Sequence, residues 1–359
     1  MKYLRKTPHK KPTREGLITI SEMSSPLTLP TWTPAQAAAL HGIRTAMGAF
    51  GPTFGQAQSL AERAHVPSEG IPEGVHISCE LAPPSSQIPA SIHSTSIQPG
   101  QVPVFFYADA PSESFTDAKN DIKVVFHVHG GGNVSGHPME QRFIAFFSRI
   151  LRALGKKSGP QGSSSPMIAA PSYRLATVAE NLFPAGLQDV FSAYHHLILK
   201  GFDAENITIT GDSAGGNLAL VLTYIISQSN LPMPGHVALF SPDADLTYTT
   251  STSVPHDIIP LLTYQACSSQ YLGNFPANDP LASGILIPFT ASWPKTLVMT
   301  GTADNVAESS RRIVNGIKKA GGIAELVEYA DLTHAWWMFS HIFLQSDDGL
   351  DRLAVFVYN

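Results

Sequence analysis

Residues 207–215 read Ile-Thr-Ile-Thr-Gly-Asp-Ser-Ala-Gly, and this stretch decides the fold. Its first four residues are typical of a strand, its last five fit the pattern G-x-S-x-G, and residues 217–227 read as a helix. In that context the serine sits on a sharp turn between strand and helix, and flanking glycines permit close backbone approach. The pattern therefore predicts that the Ser213 hydroxyl stands at a sheet edge, above a helix N-terminus with positive partial charge and free N–H donors.

Strands and helices alternate on both sides of this turn. The predicted strands with continuous apolar character are 124–128, 167–170, 237–240, 296–299 and 325–329, and the predicted helices between and after them are 143–154, 184–199, 307–320 and most of 335–357. Upstream, two further strands are expected at 75–81 and 102–107. Such alternation predicts an α/β fold with a mostly parallel central sheet that is covered by helices on both faces.

A second glycine-rich motif, His129-Gly130-Gly131-Gly132, ends the predicted strand 124–128. Glycines without Cβ atoms allow main-chain N–H groups to face a developing oxyanion. The motif precedes Ser213 in the chain, as the oxyanion loop of an α/β hydrolase does. The two motifs in this order predict an acyl-transfer site.

Together the motifs resemble the hormone-sensitive lipase family of α/β hydrolases, also called the HGGG carboxylesterases or the alpha/beta hydrolase fold-3 group. The resemblance covers roughly residues 72–359 and extends to Ser172-Tyr173-Arg174-Leu175-Ala176, Phe183-Pro184-Ala185 with Asp189, and Asp279-Pro280-Leu281-Ala282-Ser283. It implies an α/β-hydrolase fold with a helical cap, and a serine esterase that uses neither a metal nor an organic cofactor.

A catalytic serine needs a base, and the base needs an orienting carboxylate, in the chain order Ser, acid, His. Asp304 follows a predicted strand and matches the acid position of the family, while Asp331, close to the candidate histidine, is the rival. His334 lies in the loop directly after the last predicted strand, whereas His341 falls in the predicted final helix. We therefore predict a triad of Ser213, Asp304 and His334.

The family pattern also implies which groups bind the oxyanion and line the pocket. The oxyanion donors that it implies are the N–H groups of Gly131, Gly132 and Ala214. Position 133 is Asn where the family commonly has an aromatic residue, and His334 is followed by Ala-Trp-Trp instead of Gly and Phe. These departures reshape the pocket wall, so the candidate substrate contacts are Asn133, Trp336 and Trp337.

The chain is expected to divide into a tail, a cap and one core. Residues 1–22 form a basic tail, since the first 14 residues hold six of the 23 lysines and arginines and no acid. Residues 23–70 contribute helices to the cap, and residues 71–359 form the hydrolase core. A Thr-, Ser- and Pro-rich insertion at about 243–290, with one helix near 258–271, interrupts the core and would complete the cap.

Charge and segment patterns exclude several classes of protein. With a net charge of −5, the chain has no overall electrostatic attraction to nucleic acid or to anionic membranes. The basic N-terminus is not followed by an apolar signal region, and the chain has no apolar run long enough for a transmembrane helix, so a cytoplasmic location without stable membrane insertion is expected. The cysteines Cys79 and Cys267 match no metal motif. A homodimer is an arrangement that the family allows.

The function expected from these features is a serine carboxylesterase that cleaves esters of small or medium, largely apolar substrates through an acyl-enzyme. Deacetylation of a small natural product is one candidate reaction. The alternatives are a non-hydrolytic lyase or cyclase, a small-molecule receptor, a lipase and an amidase, because the same fold serves all of them. The natural substrate and its chain length stay open at this point.

Overall fold

The computed structural model describes residues 27–49, 57–109, 121–158, 165–249, 251 and 253–359. Within this part of the chain the strands are β1 (His76–Ala82), β2 (Val102–Ala108), β3 (Val124–Val128), β4 (Met167–Pro171), β5 (Ile207–Asp212), β6 (His236–Phe240), β7 (Lys295–Gly301) and β8 (Ala324–Tyr329). They form one sheet in the order β1-β2-β4-β3-β5-β6-β7-β8. The tail predicted at residues 1–22 lies outside the described residues.

Pairing in this sheet is antiparallel only where β2 joins β1 and β4. From β4 through β3, β5, β6 and β7 to β8 every neighbouring pair is parallel. The predicted mostly parallel α/β sheet is confirmed. Its consequence for the site is geometric, because loops that leave the carboxyl ends of parallel strands meet at one edge of the sheet.

The helices of the described chain are α1 (Pro34–Ala49), α2 (Leu60–Arg63), α3 (Gln141–Gly155), α4 (Ala185–Leu199), α5 (Ser213–Ser227), α6 (Leu261–Leu272), α7 (Ala307–Lys319) and α8 (Gln345–Val357). Three of them differ from expectation. The helix predicted at 217–227 begins earlier, at Ser213 itself. The helix predicted near 258–271 begins only at Leu261, because Pro260 disfavours the helical conformation of the residue before it. The stretch predicted as helix from residue 335 holds only a 3₁₀ turn, Trp336–Met338, before α8.

Both faces of the sheet are buried from β2 to β7, as the apolar strands predict, whereas the edge strands β1 and β8 are partly exposed. Alternate residues point to opposite faces, so Val124 and Phe126 pack with α4 and α5, while Val125 between them packs on the other side with α3 and α8. The amphipathic helix α3 illustrates how a helix covers its face: its apolar residues recur at spacings of three and four. Those that are buried include Phe143, Phe146, Phe147, Ile150, Leu151 and Leu154.

Helix α1 and the insertion contact each other and the end of the core. The Arg44 guanidinium donates to the carbonyl of Pro255 at 2.6 Å. The Trp32 indole donates to the carbonyl of Asp331, and the Gln36 amide donates to the carbonyl of Ile342. The division into tail, cap and core stays a prediction. In the described part of the chain, no helix has the length and apolar character needed to cross a membrane.

Candidate active site

The turn at Ser213 joins β5 directly to α5, with no residue between them. Ser213 adopts a left-handed backbone conformation, with φ of 53°. A Cβ atom at Gly211 would collide with the carbonyl oxygen of Gly215, and one at Gly215 would collide with the carbonyl oxygen of His129. Glycine is therefore required on both sides, and the strained serine is held at the sheet edge by the backbone packed around it.

The glycine loop after β3 is also left-handed, with φ of 118° at Gly131, 66° at Gly132 and 61° at Asn133. Among the described residues, no hydrogen-bond acceptor faces the N–H of Gly131 or Gly132. The N–H of Ala214 lies in the first turn of α5, where helical N–H groups have no partner within the helix. These are the three N–H donors that the family pattern implies, and no hydrogen bond joins any of them to another loop or turn of the described residues.

Asp212 ties the glycine loop to the serine turn. Its Oδ1 accepts the N–H of Gly130 at 2.8 Å and also contacts Nε2 of His127 at 3.1 Å. Nδ1 of His127 in turn contacts the hydroxyl of Thr210 at 2.8 Å. One buried carboxylate thus connects the two sequence motifs, so the loop and the turn keep a set relative position.

Asp304 and His334 form a buried pair at the same sheet edge. Nδ1 of His334 lies 3.1 Å from each carboxylate oxygen of Asp304, and both residues are 2% exposed. Asp304 follows β7, His334 follows β8 and Ser213 follows β5, so parallel strands bring all three to one edge. With Nδ1–H donated to the carboxylate, Nε2 is left as the basic nitrogen.

The rival residues lie elsewhere. The carboxylate of Asp331 accepts the hydroxyl of Thr31 at 2.8 Å, and its residue is only partly buried. His341 is exposed and lies in a turn before α8, not in a helix; its ring packs edge-on against Phe339. Neither contacts the Asp304–His334 pair through a hydrogen bond of the described residues.

A further carboxylate, which the sequence reasoning missed, comes from the insertion. Asp257 is 1% exposed and accepts the main-chain N–H of His334 at 3.1 Å through Oδ1. Its Oδ2 accepts the N–H of Asn305, the neighbour of Asp304, at 2.8 Å. Asp257 therefore clamps the loops of both members of the pair. It lies in a segment without motif or periodicity, so the sequence offers no signal for it.

Asp243 is the second residue that was missed. Its N–H donates to the carbonyl of Ser213 at 3.0 Å, and its side chain is 3% exposed. The hydroxyl of Tyr248 donates to its Oδ2 at 2.8 Å. A signal for this residue did exist, because β6 is the parallel neighbour of β5 and residues just after its carboxyl end are expected near the Ser213 turn.

The three buried carboxylates set the electrostatics around His334. Burial lowers the pKa of His334, but the charge and hydrogen bond of Asp304, together with the charges of Asp257 and Asp243, outweigh it and raise that pKa to about 9. Burial, reinforced by the charge of Asp304, raises the pKa of Asp257 to about 7. Burial also raises the pKa of Asp243 to about 7, although Tyr248 and His334 oppose the change. The site therefore favours a cationic imidazole.

The candidate substrate contacts fall into two groups. Trp336 and Trp337 are fully buried in the core, where Trp336 packs on Tyr329 with ring centroids 4.3 Å apart and Trp337 lies 5.4 Å from the His334 ring. Asn133 is buried beside the glycine loop, and its Oδ1 has no hydrogen-bond partner among the described residues. Core packing is what the structure shows for the tryptophans, and contact of any of the three with substrate stays a prediction.

Comparison with known proteins places this site in a family. A model of the alpha/beta hydrolase fold matches residues 125–338, more than half of the chain. An acetyl-hydrolase of Streptomyces hygroscopicus is 24% identical over 73% of this chain and 83% of its own length. Hormone-sensitive lipase of Bos taurus is 30% identical over 45% of this chain and 21% of its own length.

A solved structure agrees with these matches at the level of the fold. An esterase from the bacterial hormone-sensitive lipase family superposes with a TM-score of 0.67 at 23% identity, covering 90% of this chain and 97% of that one. Together with the glycine loop, the serine turn and the carboxylate–histidine pair, the matches identify this chain: it belongs to the α/β-hydrolase fold family, in the group of hormone-sensitive lipase.

Proposed function

We propose that this protein is a carboxylesterase that hydrolyses esters of small or medium, largely apolar substrates through an acyl-enzyme on Ser213. The observation that carries the proposal is the buried Asp304–His334 pair, whose Nδ1 contacts at 3.1 Å orient the imidazole at the sheet edge that Ser213 also occupies. An acetyl-hydrolase among the relatives and an esterase among the solved structures support ester hydrolysis and make acetyl esters the first candidates.

In the proposed mechanism, Nε2 of His334 accepts the proton of the Ser213 hydroxyl while its oxygen attacks the ester carbonyl. The resulting oxyanion is bound by the free N–H groups of Gly131, Gly132 and Ala214, each of which contributes about 10²–10³ in rate. The imidazolium then gives its proton to the leaving alkoxide, and the alcohol departs. Water, deprotonated by the same imidazole, attacks the acyl-enzyme. The imidazolium then returns its proton to Oγ of Ser213 as the carbonyl–Oγ bond breaks, and this step releases the acid and free Ser213.

Asp304 and Asp257 have distinct tasks in this mechanism. Asp304 selects the tautomer of His334 with the proton on Nδ1 and stabilises the imidazolium that forms. Asp257 holds the main chain of His334 and so sets where the ring stands. Asp212 does the same for the oxyanion loop through Gly130.

The test is a series of p-nitrophenyl esters from acetyl to palmitoyl, measured beside Ser213→Ala and the matched control Ser227→Ala, an exposed serine at the other end of the same helix. We expect turnover that falls for acyl chains beyond roughly eight carbons, that is lost in Ser213→Ala and that is retained in Ser227→Ala. Turnover that persists in Ser213→Ala would overturn the mechanism.

The alternatives give different results in the same experiments. Activity that rises with palmitoyl esters in emulsion would indicate a lipase, and cleavage of anilides at a comparable rate would indicate an amidase. Failure of a fluorophosphonate probe to label Ser213 would favour a receptor, a lyase or a cyclase. A small-molecule ester as the partner, a cytoplasmic location and a homodimer are further proposals, which rest on the sequence and the family resemblance.

A further inference from the structure

Beside the candidate nucleophile lies a carboxylate that takes no direct part in the proposed proton transfers. The main-chain N–H of Asp243 donates to the carbonyl of Ser213 at 3.0 Å, so this residue stands next to the reacting centre. Its side chain is 3% exposed, and its Oδ1 has no hydrogen-bond partner among the described residues. A buried acceptor without a partner costs free energy of folding, so its persistence calls for an explanation.

The other oxygen of Asp243 is already occupied. The Tyr248 hydroxyl donates its single proton to Oδ2 at 2.8 Å and, having none left, accepts from the hydroxyl of Ser268 at 2.6 Å. Tyr248 is held in the left-handed region, with φ of 49°. Strained residues of this kind cluster at functional sites. Tyr248 and Ser268 therefore fix the carboxylate, and none of the described residues supplies a donor for its Oδ1.

The charges that face Asp243 come from several elements. His334 attracts it, while Asp304 and Asp245 repel it and so raise the cost of its charge. The hydroxyl of Tyr264 is also buried and has no hydrogen-bond partner within the part of the chain that the structure describes, and the Tyr264 ring lies 5.3 Å from the His334 ring. The side of the Ser213 turn that faces Asp243, Tyr264 and His334 is therefore polar.

We propose that Asp243 forms a polar subsite, in which Oδ1 accepts a hydrogen bond from a hydroxyl or ammonium group that the substrate carries a few bonds from its ester. The inference rests on the proposed esterase function and narrows its substrates. A substrate that is otherwise apolar would be recognised through this one donor. An ester with the donor is favoured because it supplies a hydrogen bond that Oδ1 otherwise lacks, and an ester without the donor does not.

The test compares ester pairs that differ by one donor. On the acid side the pairs are p-nitrophenyl butyrate with p-nitrophenyl 3-hydroxybutyrate and with p-nitrophenyl 3-aminobutyrate; on the alcohol side the pair is propyl acetate with 3-hydroxypropyl acetate. Values of kcat/KM are measured at about pH 8, where the Asp243 carboxyl, with a pKa raised to about 7, is ionised. We expect kcat/KM of the unmodified protein to be roughly tenfold or more higher for a donor-bearing ester than for its parent ester. The pair that shows this difference identifies the donor as a hydroxyl or an ammonium group.

The variant Asp243→Asn keeps the size and the acceptor for Tyr248 but puts an amide in place of the free oxygen. We expect it to lose the preference, measured as the ratio of kcat/KM within each ester pair. This ratio is compared because loss of the Asp243 charge also lowers the pKa of His334 and so changes the rate on both esters of a pair. The control is Asp245→Asn, a carboxylate two residues away. Its Oδ2 pairs with Arg312 at 2.7 Å and its Oδ1 accepts hydrogen bonds from Thr247, so the preference should remain in this variant.

The outcomes separate the two proposals. Cleavage of the parent esters with no preference on any pair, as expected if only a water fills the subsite, overturns the subsite and leaves the esterase intact. A preference that survives in Asp243→Asn overturns it as well. If Asp243→Asn does not fold, the preference of the unmodified protein on the three pairs still decides. Failure to cleave any ester overturns the esterase function itself.

Discussion

The carboxylate of Asp257 accepts the main-chain N–H of His334 at 3.1 Å, so a residue of the insertion holds the loop that carries the candidate base. The same carboxylate reaches the N–H of Asn305 beside Asp304. The acid and the base thus share a support that neither of their own loops provides. Small errors in the position of a catalytic group cost large factors in rate, so this clamp bears directly on activity.

The first prediction concerns the pH dependence of the unmodified protein. The proposed base must be neutral to accept a proton. The pKa of His334 is raised to about 9 because the charges of Asp304, Asp257 and Asp243 outweigh the effect of burial. We therefore expect kcat/KM to increase with pH through neutrality and to level off only near pH 9. Initial rates with p-nitrophenyl acetate, corrected for spontaneous hydrolysis, measure this. A plateau already reached below pH 7 would contradict it.

The second prediction isolates Asp257. The variant Asp257→Asn removes a negative charge that raises the pKa of His334, so the rising limb of the pH profile should move to lower pH. The new amide group also points an N–H donor at the main-chain N–H of either His334 or Asn305, so one of these two hydrogen bonds is lost. We therefore expect the plateau of kcat/KM to fall roughly tenfold. The control is Asp331→Asn, since this carboxylate is nearer to His334 in sequence but bonds to Thr31. A limb that stays in place in Asp257→Asn would rule out the electrostatic role.

The third prediction distinguishes the two candidate acids. In Asp304→Asn the amide cannot hold the Nδ1–H tautomer, and we expect kcat to drop by about 10⁴ with little change in KM. In Asp331→Asn the loss concerns a hydrogen bond to Thr31 on the partly exposed surface, so kcat should change by less than about twofold. Comparable losses of kcat in the two variants would contradict the assignment of Asp304 as the acid that orients His334.

The fourth prediction tests the glycine loop. In Gly131→Ala a side chain is forced onto a residue with φ of 118° and against the carbonyl of Ser135, so the loop must move and its N–H donor with it. We expect kcat to fall by about 10²–10³. Gly155→Ala is the control, since nothing lies within 4 Å of its added Cβ at the end of α3. Melting temperatures of both variants separate a local shift of the loop from loss of the fold.

Much of this architecture could be predicted because the strands are strongly apolar and short. Residues that directly follow such strands, among them Ser213, Asp304 and His334, must lie at one edge once the strands are parallel. The start of α6 was also within reach, because Pro260 marks it. The clamp by Asp257 could not be predicted, since contact between residues 257 and 334 depends on how an aperiodic insertion folds over the core. The same holds for the burial of Trp336 and Trp337, which tertiary packing decides.

The bond between Asp212 and Gly130 has a consequence for engineering. The pentapeptide around Ser213 looks portable, because it is short and continuous in sequence. Its aspartate, however, is buried, and among the described residues its side-chain partners are His127 on β3 and Gly130 in the loop after that strand. Grafting the pentapeptide onto a different α/β scaffold would leave this carboxylate without donors unless both partners were transplanted with it. The transferable module is thus a discontinuous piece of two neighbouring strands, β3 and β5, with their loops.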